Sequence, residues 1–310
     1  MPDVPVIIDR YEDAVHIAEY EREHSRTPAQ QADWLDAVAM RAGDVLGVDR
    51  RRVFVKNKHR QRGLTQHERV ADERKTFVVH EGGLQFEVNL SDYVDTGLFL
   101  DHRLTRGMVR EEAAGKRVLN LFCYTGSFTV YAASGGAEAT TSVDLSNTYL
   151  EWAGRNLELN GLEWWGEDAR ANAAVPRAGH RLVRGDVMEW LREQRTVGER
   201  GSYDLAIVDP PTFSNSKRTD DVFDVQRDHA EMLGLVANLL SPKGVVYFSN
   251  NNRRFKLDEA GLVEAGYSGR EISRRTVPPE YRNTRIHRCW RLVRGGGAEA
   301  GGVVQEKEVD

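Results

Sequence analysis

The residues best placed to do chemistry lie where an apolar run, Ala206-Ile207-Val208, ends in Asp209, Pro210, Pro211, Thr212 and Phe213. Two consecutive prolines fix φ and remove two backbone donors, so this turn offers carbonyls and the Asp209 carboxylate to whatever docks there. A flat, donor-rich ligand such as a nucleobase suits that lining, and Phe213 can stack on its face. A turn that merely ends a strand is the plain alternative. On the first reading Asp209, Pro210, Pro211 and Phe213 form a reaction centre.

Upstream, Lys116 to Phe128 (KRVLNLFCYTGSF) reads as a short apolar strand, a glycine turn and the start of a helix, the arrangement of a loop that cradles a cofactor. A dinucleotide site needs further glycines to admit a pyrophosphate, yet the position two after Gly126 is Phe128. S-adenosylmethionine carries no phosphate. One glycine at the closest approach, helix N-terminal N–H groups for its carboxylate and a later acid for its ribose suffice. Asp144, after the strand Ala139 to Val143, is that acid, and Asp186, after the strand His180 to Arg184, stands where the adenine amine needs an acceptor. Each aspartate is also a common helix N-cap. The order of four strand ends, Gly126, Asp144, Asp186 and Asp209, favours a ligand site, because open α/β sheets bind ligands at the carboxyl ends of their strands. The cofactor set is therefore Asn120, Phe122, Tyr124, Thr125, Gly126, Ser127, Asp144, Leu145, Asp186, Val187 and Asp209, and the chemistry it points to is methyl transfer.

Only a parallel sheet brings these residues together. From Val118 to Phe248 strands and helices alternate, the pattern of a sheet covered on both faces, and two further strands follow, Tyr267 to Thr276 and Ile286 to Val293. Ahead of them Val6 to Ile8, Ala14 to Ile17, Arg52 to Lys56, Thr76 to His80 and Leu84 to Asn89 read as strands. Thr27 to Leu46 reads as an amphipathic helix with Trp34, Leu35, Val38 and Val45 on its apolar side. The expected architecture is α/β: a small N-terminal α+β domain over residues 1–95, a Rossmann-like domain over 96–294, and a disordered tail over 295–310.

Composition bounds the rest. The 310 residues hold two cysteines, Cys123 and Cys289, which cannot build a disulfide framework or a zinc site alone, so a reducing setting and no metal are expected. No run approaches the roughly 18 apolar residues of a membrane span, and Met1-Pro2-Asp3-Val4-Pro5 lacks the basic start of a leader; a soluble, cytoplasmic protein is expected. Net charge is −5, which taken whole argues against nucleic acid. Its distribution argues for it: Arg50 to Arg62 holds seven Lys/Arg and no acid, and Arg253 to Arg294 holds eleven against five acids. Phosphates respond to the local field, which makes Arg51, Lys58, Arg60, Arg62, Lys217, Arg218 and Arg253 RNA-binding candidates. A solvated basic face is the alternative, and Phe54 can either stack on a base or pack with Val53 and Val55 in a strand.

Five blocks carry a resemblance: Tyr93 to Arg103 (YVDTGLFLDHR), Asn120 to Val130, Val143 to Leu162, DPPTFSNSKR with Phe223 to His229, and Phe248 to Phe255 (FSNNNRRF). Over roughly Val6 to Val293 the chain resembles the K half of the bifunctional 23S ribosomal RNA guanine methyltransferases. The resemblance implies a class I methyltransferase fold with a mostly parallel seven-stranded sheet and S-adenosylmethionine as methyl donor. It further implies N7 of a guanine as acceptor, and 23S rRNA or a large-subunit assembly intermediate as partner of a monomer or weak dimer. It also implies that Asp101 and Arg103 help close the cofactor site. Two departures stand out. The other half is lacking, so one activity is expected, and residues 163–179, with two adjacent tryptophans, form an extra segment read as a surface loop that touches RNA or a partner. A C5-cytosine enzyme would need a cysteine nucleophile after the fifth strand, where this chain has Phe248-Ser249-Asn250-Asn251-Asn252. Methylation of an exocyclic amine, for which Asn-Pro-Pro-aromatic is more usual, and a non-catalytic ribosome-assembly factor are the remaining alternatives.

Overall fold

A computed structural model describes residues 6–20, 25–58, 76–91, 95–169, 176–197, 200–214, 222–295 and 303–304. Arg60, Arg62, Lys217 and Arg218, read above as RNA contacts, lie outside the described residues, as does the side chain of Lys58. The chain divides into two compact units, Met1–His80 with Phe86–Leu98, and Glu81–Gln85 with Phe99–Asp310.

In the first unit β1 (Val6–Tyr11) and β2 (Ala14–Tyr20) form an antiparallel hairpin, and β3 (Val53–Lys58) joins β2 in parallel. A parallel neighbour requires a crossover, which α1 (Pro28–Leu46) supplies. Thr27 and Gln30 close a capping box at its start, and Gly47, in the left-handed region, ends it. Leu35, Ala39 and Ala42 recur at helical spacing on its buried face. Ala39 and Ala42 share a core with Val15 and Ile17 of the sheet. Val45, expected on that face, is 80% exposed, because the apolar stripe continues to Leu46 and leaves its neighbour facing water. The hairpin of β4 (Thr76–Glu81) and β5 (Leu84–Asn89) turns on Gly82 and Gly83, whose φ angles of 60° and 81° suit glycine.

In the second unit α2 (Arg103–Glu112) leads into β6 (Arg117–Leu121), α3 (Ser127–Ser134), β7 (Ala139–Asp144), α4 (Asn147–Leu159), β8 (Trp164–Asp168), β9 (Gly179–Arg184), α5 (Val187–Val197) and β10 (Tyr203–Val208). A two-residue ladder of β11 (Phe213–Ser214) with β12 (Phe223–Asp224) precedes α6 (Val225–Leu239) and β13 (Leu240–Asn250). Then come α7 (Glu259–Glu264), β14 (Tyr267–Glu271), α8 (Ser273–Thr276), β15 (Arg288–Arg294) and β16 (Val303–Val304). The sheet order is β16-β14-β15-β13-β10-β6-β7-β9-β8. It is parallel from β13 to β8, and β15 runs antiparallel to both its neighbours. The seven expected strands are joined by one more at each edge.

Strand order reverses between β6 and β10, which opens a crevice at their carboxyl ends. Leu119, Leu121, Ala206, Val208, Val246 and Phe248 pack one sheet face with residues of α5 and α6, while Val118, Leu205, Ile207, Val245 and Tyr247 pack the other with residues of α2 and α3. Strand alternation places Asn120 and Ser249 on the α2–α3 face.

Three segments differ from expectation. Residues 163–179 supply β8 rather than only a loop, because Gly154 and Gly179 leave room for two indoles: a Cβ on either would stand 2.3 Å from the Trp164 ring or 2.8 Å from the Trp165 ring. The strand expected to run to Thr276 stops at Glu271, where the Ser273 hydroxyl takes the Cys289 N–H at 3.0 Å and the chain turns into α8. Within the tail expected to be disordered, Val303–Val304 pairs with Gly269 and Arg270. Among the described residues no helix is long and apolar enough to cross a membrane.

Gly154 of α4 and Gly234 of α6 should respond oppositely to alanine. Around Gly234 a Cβ meets nothing within 4 Å, so Gly234→Ala should stabilise by about 0.5–1 kcal/mol through helix propensity. Gly154→Ala should destabilise by about 1–3 kcal/mol through overpacking against Trp164. Denaturant unfolding of the pair checks this, and equal shifts of one sign would contradict the packing described.

Candidate methyl-transfer site

The loop after β6 is conformationally strained: Phe122 and Tyr124 have φ of 56° and 51°, in the left-handed region that side chains disfavour. Asp144, at the end of β7, holds it there. One carboxylate oxygen accepts the Tyr124 N–H at 2.9 Å, and the other accepts the Ser146 N–H at 2.9 Å. Gly126 (φ 72°) is required twice, by its backbone and because a Cβ would stand 2.8 Å from that of Ala153. The α3 N-terminus that follows has no side-chain cap, which leaves its first N–H groups for a ligand. Asp186 caps α5 through one oxygen, accepting the Glu189 N–H at 3.0 Å, and the other oxygen has no partner among the described residues.

Not every residue of the expected set faces a ligand. Asn120 donates to the Thr129 hydroxyl at 2.9 Å, which in turn meets Ser142 at 2.6 Å, so it ties α3 to the sheet from inside the core. Thr125 and Val187 are likewise buried, Val187 within the main apolar cluster. Phe122, Tyr124, Leu145 and Asp144 remain partly exposed around the loop, and Ser127 is just buried. Asp101 and Arg103 were expected to close the cofactor site, but other partners engage both: Asp101 accepts from His287 at 2.9 Å, and Arg103 pairs with Glu280 at 2.7 Å.

Asp209 follows β10 at the switch point of the sheet. Ser249 Oγ donates to its Oδ1 at 2.6 Å, and His102 Nε2 lies 3.4 Å from its Oδ2. Pro210 is buried, Pro211 half-buried, and Phe213 is 58% exposed on the β11–β12 ladder. Around Asp209 stands a group that the sequence pattern did not reveal: His102 and His287 stack at 4.3 Å with 12° between their planes, and Thr276 meets His287 Nε2 at 3.0 Å. Burial alone would raise the Asp101 carboxyl; the imidazoles of His102 and His287 with the Arg106 guanidinium outweigh it and hold its pKa at about 2. Burial pushes His102 below the usual histidine range, although Asp209 and Asp101 pull the other way. It also pushes Cys123 and Cys289 far above the thiol range, so neither is a ready nucleophile.

The basic candidates that are described lie at the surface. Arg51 forks onto Asp49 at 2.9 Å on an exposed turn, a pairing worth little in water, and Arg253 is exposed just after β13. Phe54 meets Phe77 edge-on at 5.6 Å, so it packs within its own unit.

A parallel sheet that brings a glycine turn and acids to neighbouring strand ends suits a nucleoside-bearing methyl donor. Residues 38–284 match the S-adenosylmethionine-dependent methyltransferase family model, and the chain belongs to that family. It is 52% identical over 295 residues to the ribosomal RNA large subunit methyltransferase K/L of Pseudomonas aeruginosa, and 51% identical over 294 residues to that of Pseudomonas putida strain KT2440. These alignments cover 94% of this chain but only 38% and 37% of those proteins. Among solved structures, the methyltransferase SMU.776 complexed with SAH superposes with a TM-score of 0.68 at 25% identity, covering 93% of this chain and 71% of that one.

The donor set fits S-adenosylmethionine. Asp144 is a carboxylate at the end of β7 of the kind that accepts from ribose hydroxyls, the uncapped α3 N-terminus suits the amino-acid carboxylate, and Asp186 is an acceptor of the kind the adenine amine needs. Hydrogen bonds to a charged group contribute roughly 1.5–3 kcal/mol each. Asp144→Ala should therefore weaken binding of S-adenosylhomocysteine by about tenfold or more in calorimetry. Unchanged affinity would remove Asp144 from the site.

Proposed function

We propose that the chain methylates N7 of a guanine in 23S ribosomal RNA, as the K half of the longer K/L relatives. The observation that carries this reading is the Asp209 carboxylate, held by Ser249 at the carboxyl edge of the sheet, next to two prolines that remove competing donors. Guanine N7 has an in-plane lone pair and no proton to lose, so the site needs alignment rather than a strong base. Asp209 accepts from the guanine N1–H or N2–H, and Phe213 stacks on the ring. S-adenosylmethionine supplies the electrophilic methyl. As N7 becomes quaternary, positive charge spreads over the base and makes N1–H a stronger donor. The bond to Asp209 then strengthens in the transition state, which is where binding accelerates a reaction. Asp101 and Arg103, as the family resemblance implies, remain in this reading at the rim of the cofactor site.

The unit before residue 95 is proposed to position RNA through Arg51, Lys58, Arg60 and Arg62, with Lys217, Arg218 and Arg253 contributing from the catalytic domain. The substrate is 23S rRNA or a large-subunit assembly intermediate, which sets the protein in the cytoplasm. If the basic segment meets phosphates, replacing Arg51, Lys58 and Arg60 by Ala should flatten the plot of log affinity against log salt by up to about three units. An unchanged slope would return the segment to a solvated face.

Quaternary N7-methylguanine is open to borohydride reduction and aniline scission. Large-subunit RNA treated with the enzyme should cleave at one guanine, and Asp209→Ala should lower turnover by about a hundredfold while cofactor affinity stays. Cys123→Ala and Cys289→Ser should keep most of their turnover. Labelled methyl in RNA that stays uncleaved would overturn the N7 assignment.

A further inference from the structure

We propose that His102 is a positioning residue for methyl transfer, presenting Nε2–H to Asp209 and so fixing which face of that carboxylate is left for the base. The inference rests on the reading of Asp209 as the acceptor for the base. His102 is 6% exposed and ends the short turn Leu100–His102 that leads into α2. Its Nε2 faces two carboxylates, 3.4 Å from Asp209 Oδ2 and 3.8 Å from Asp101 Oδ2. A lone pair there would be repelled by both, so the ring proton belongs on Nε2. Nδ1 is buried with no hydrogen-bond partner among the described residues, which suits a bare lone pair better than an unmet N–H. Burial disfavours a second proton on the ring and the Arg106 guanidinium adds to this, against the pull of the two acids.

His287 makes this arrangement specific. It lies flat against His102 and takes Asp101 for itself at 2.9 Å, so Asp209 is the carboxylate left for the Nε2–H of His102. Phe128 closes the other side of His102 edge-on, with ring centroids 5.7 Å apart. The ligand atoms of Asp101, His102 and His287 lie within 4.8 Å of one another, close enough to suggest a metal ion. Two imidazoles stacked with 12° between their planes, however, keep their in-plane lone pairs in two nearly parallel, separated planes, and one ion cannot lie in both. Hydrogen bonding accounts for the group instead. With Ser249 on Oδ1 and the Nε2–H of His102 turned to Oδ2, both oxygens of Asp209 are approached from the protein side, which sets the plane of the carboxylate.

The test combines kinetics with a spectroscopic signature. Nitrogen-15 NMR of the intact protein should show His102 as a single neutral tautomer with the proton on Nε2 between pH 6 and 8. His102→Ala should lower kcat by about thirtyfold, with the RNA KM and the cofactor Kd changed less than about threefold. His102→Gln, which puts an amide N–H near the same place, should recover kcat to within about fivefold of the natural enzyme. In an Asp209→Ala background the His102→Ala change should cost nothing further. A proton on Nδ1, or a kcat within threefold in His102→Ala, would overturn the proposal. So would folded His102→Gln that is as slow as the alanine variant. Should neither variant fold, the NMR signature decides alone. A full His102→Ala loss that persists without Asp209 would overturn the positioning role while leaving Asp209 as the base acceptor. Undiminished turnover in Asp209→Ala alone would overturn that acceptor role instead.

Discussion

A buried guanidinium fixes the geometry on which the site depends. Arg106, 1% exposed, forks onto Glu81 at 2.7 and 2.9 Å, donates to the Phe99 carbonyl at 3.0 Å and lies over the rings of Phe128 and Tyr131. Tyr131 completes the group by donating to Glu81 at 3.0 Å. A desolvated charge cannot be left unpaired, and losing one partner of such a pair typically costs about 3–5 kcal/mol. The hairpin tip at Glu81, the segment at Phe99, α2 and α3 are therefore held to one another. The turn from Leu100 to His102 has little freedom once both its ends are pinned, and it delivers Asp101 and His102 to the carboxyl edge of the sheet.

On the cofactor side the corresponding constraint is Asp144. One of its oxygens holds Tyr124 in a loop with two side-chain-bearing residues in the left-handed region, a conformation of order 1–3 kcal/mol above the favoured ones for each residue, while the other holds the turn at Ser146. The loop is thus set before a ligand arrives. In the proposed reading the carboxylate that holds it also takes the ribose, so one group would serve both fold and binding. Preorganisation of this kind removes the ordering cost that a mobile loop would add to binding.

The strand ends were legible in the sequence because each combines an apolar run with an abrupt polar residue, and a parallel sheet must bring such ends to one edge. Gly126, Asp144, Asp186 and Asp209 stand there for that reason. Strand alternation, not proximity to the glycine, decides which way the Asn120 side chain points: it faces Thr129 of α3. His102 and His287 were not legible. They are 185 positions apart, and only the antiparallel return of β15 beside β13 brings the second onto the first. The lone signal was the position of His102 between Asp101 and Arg103, which also suits a packed core histidine. The tryptophans of residues 163–179 looked like loop residues because the space that receives them is made by glycines elsewhere, at 154 and 179.

In the mechanism proposed here, these parts are tied to catalysis by a hydrogen bond from the base to Asp209. Single-turnover methylation of RNA carrying 1-methylguanosine at the target position, against the same RNA with guanosine, measures it directly. Losing the N1–H should slow N7 methylation by about tenfold to a hundredfold, because the interaction that strengthens with the developing charge is gone. Equal rates for the two RNAs would contradict an N1–H bond to Asp209 that strengthens as the methyl is transferred.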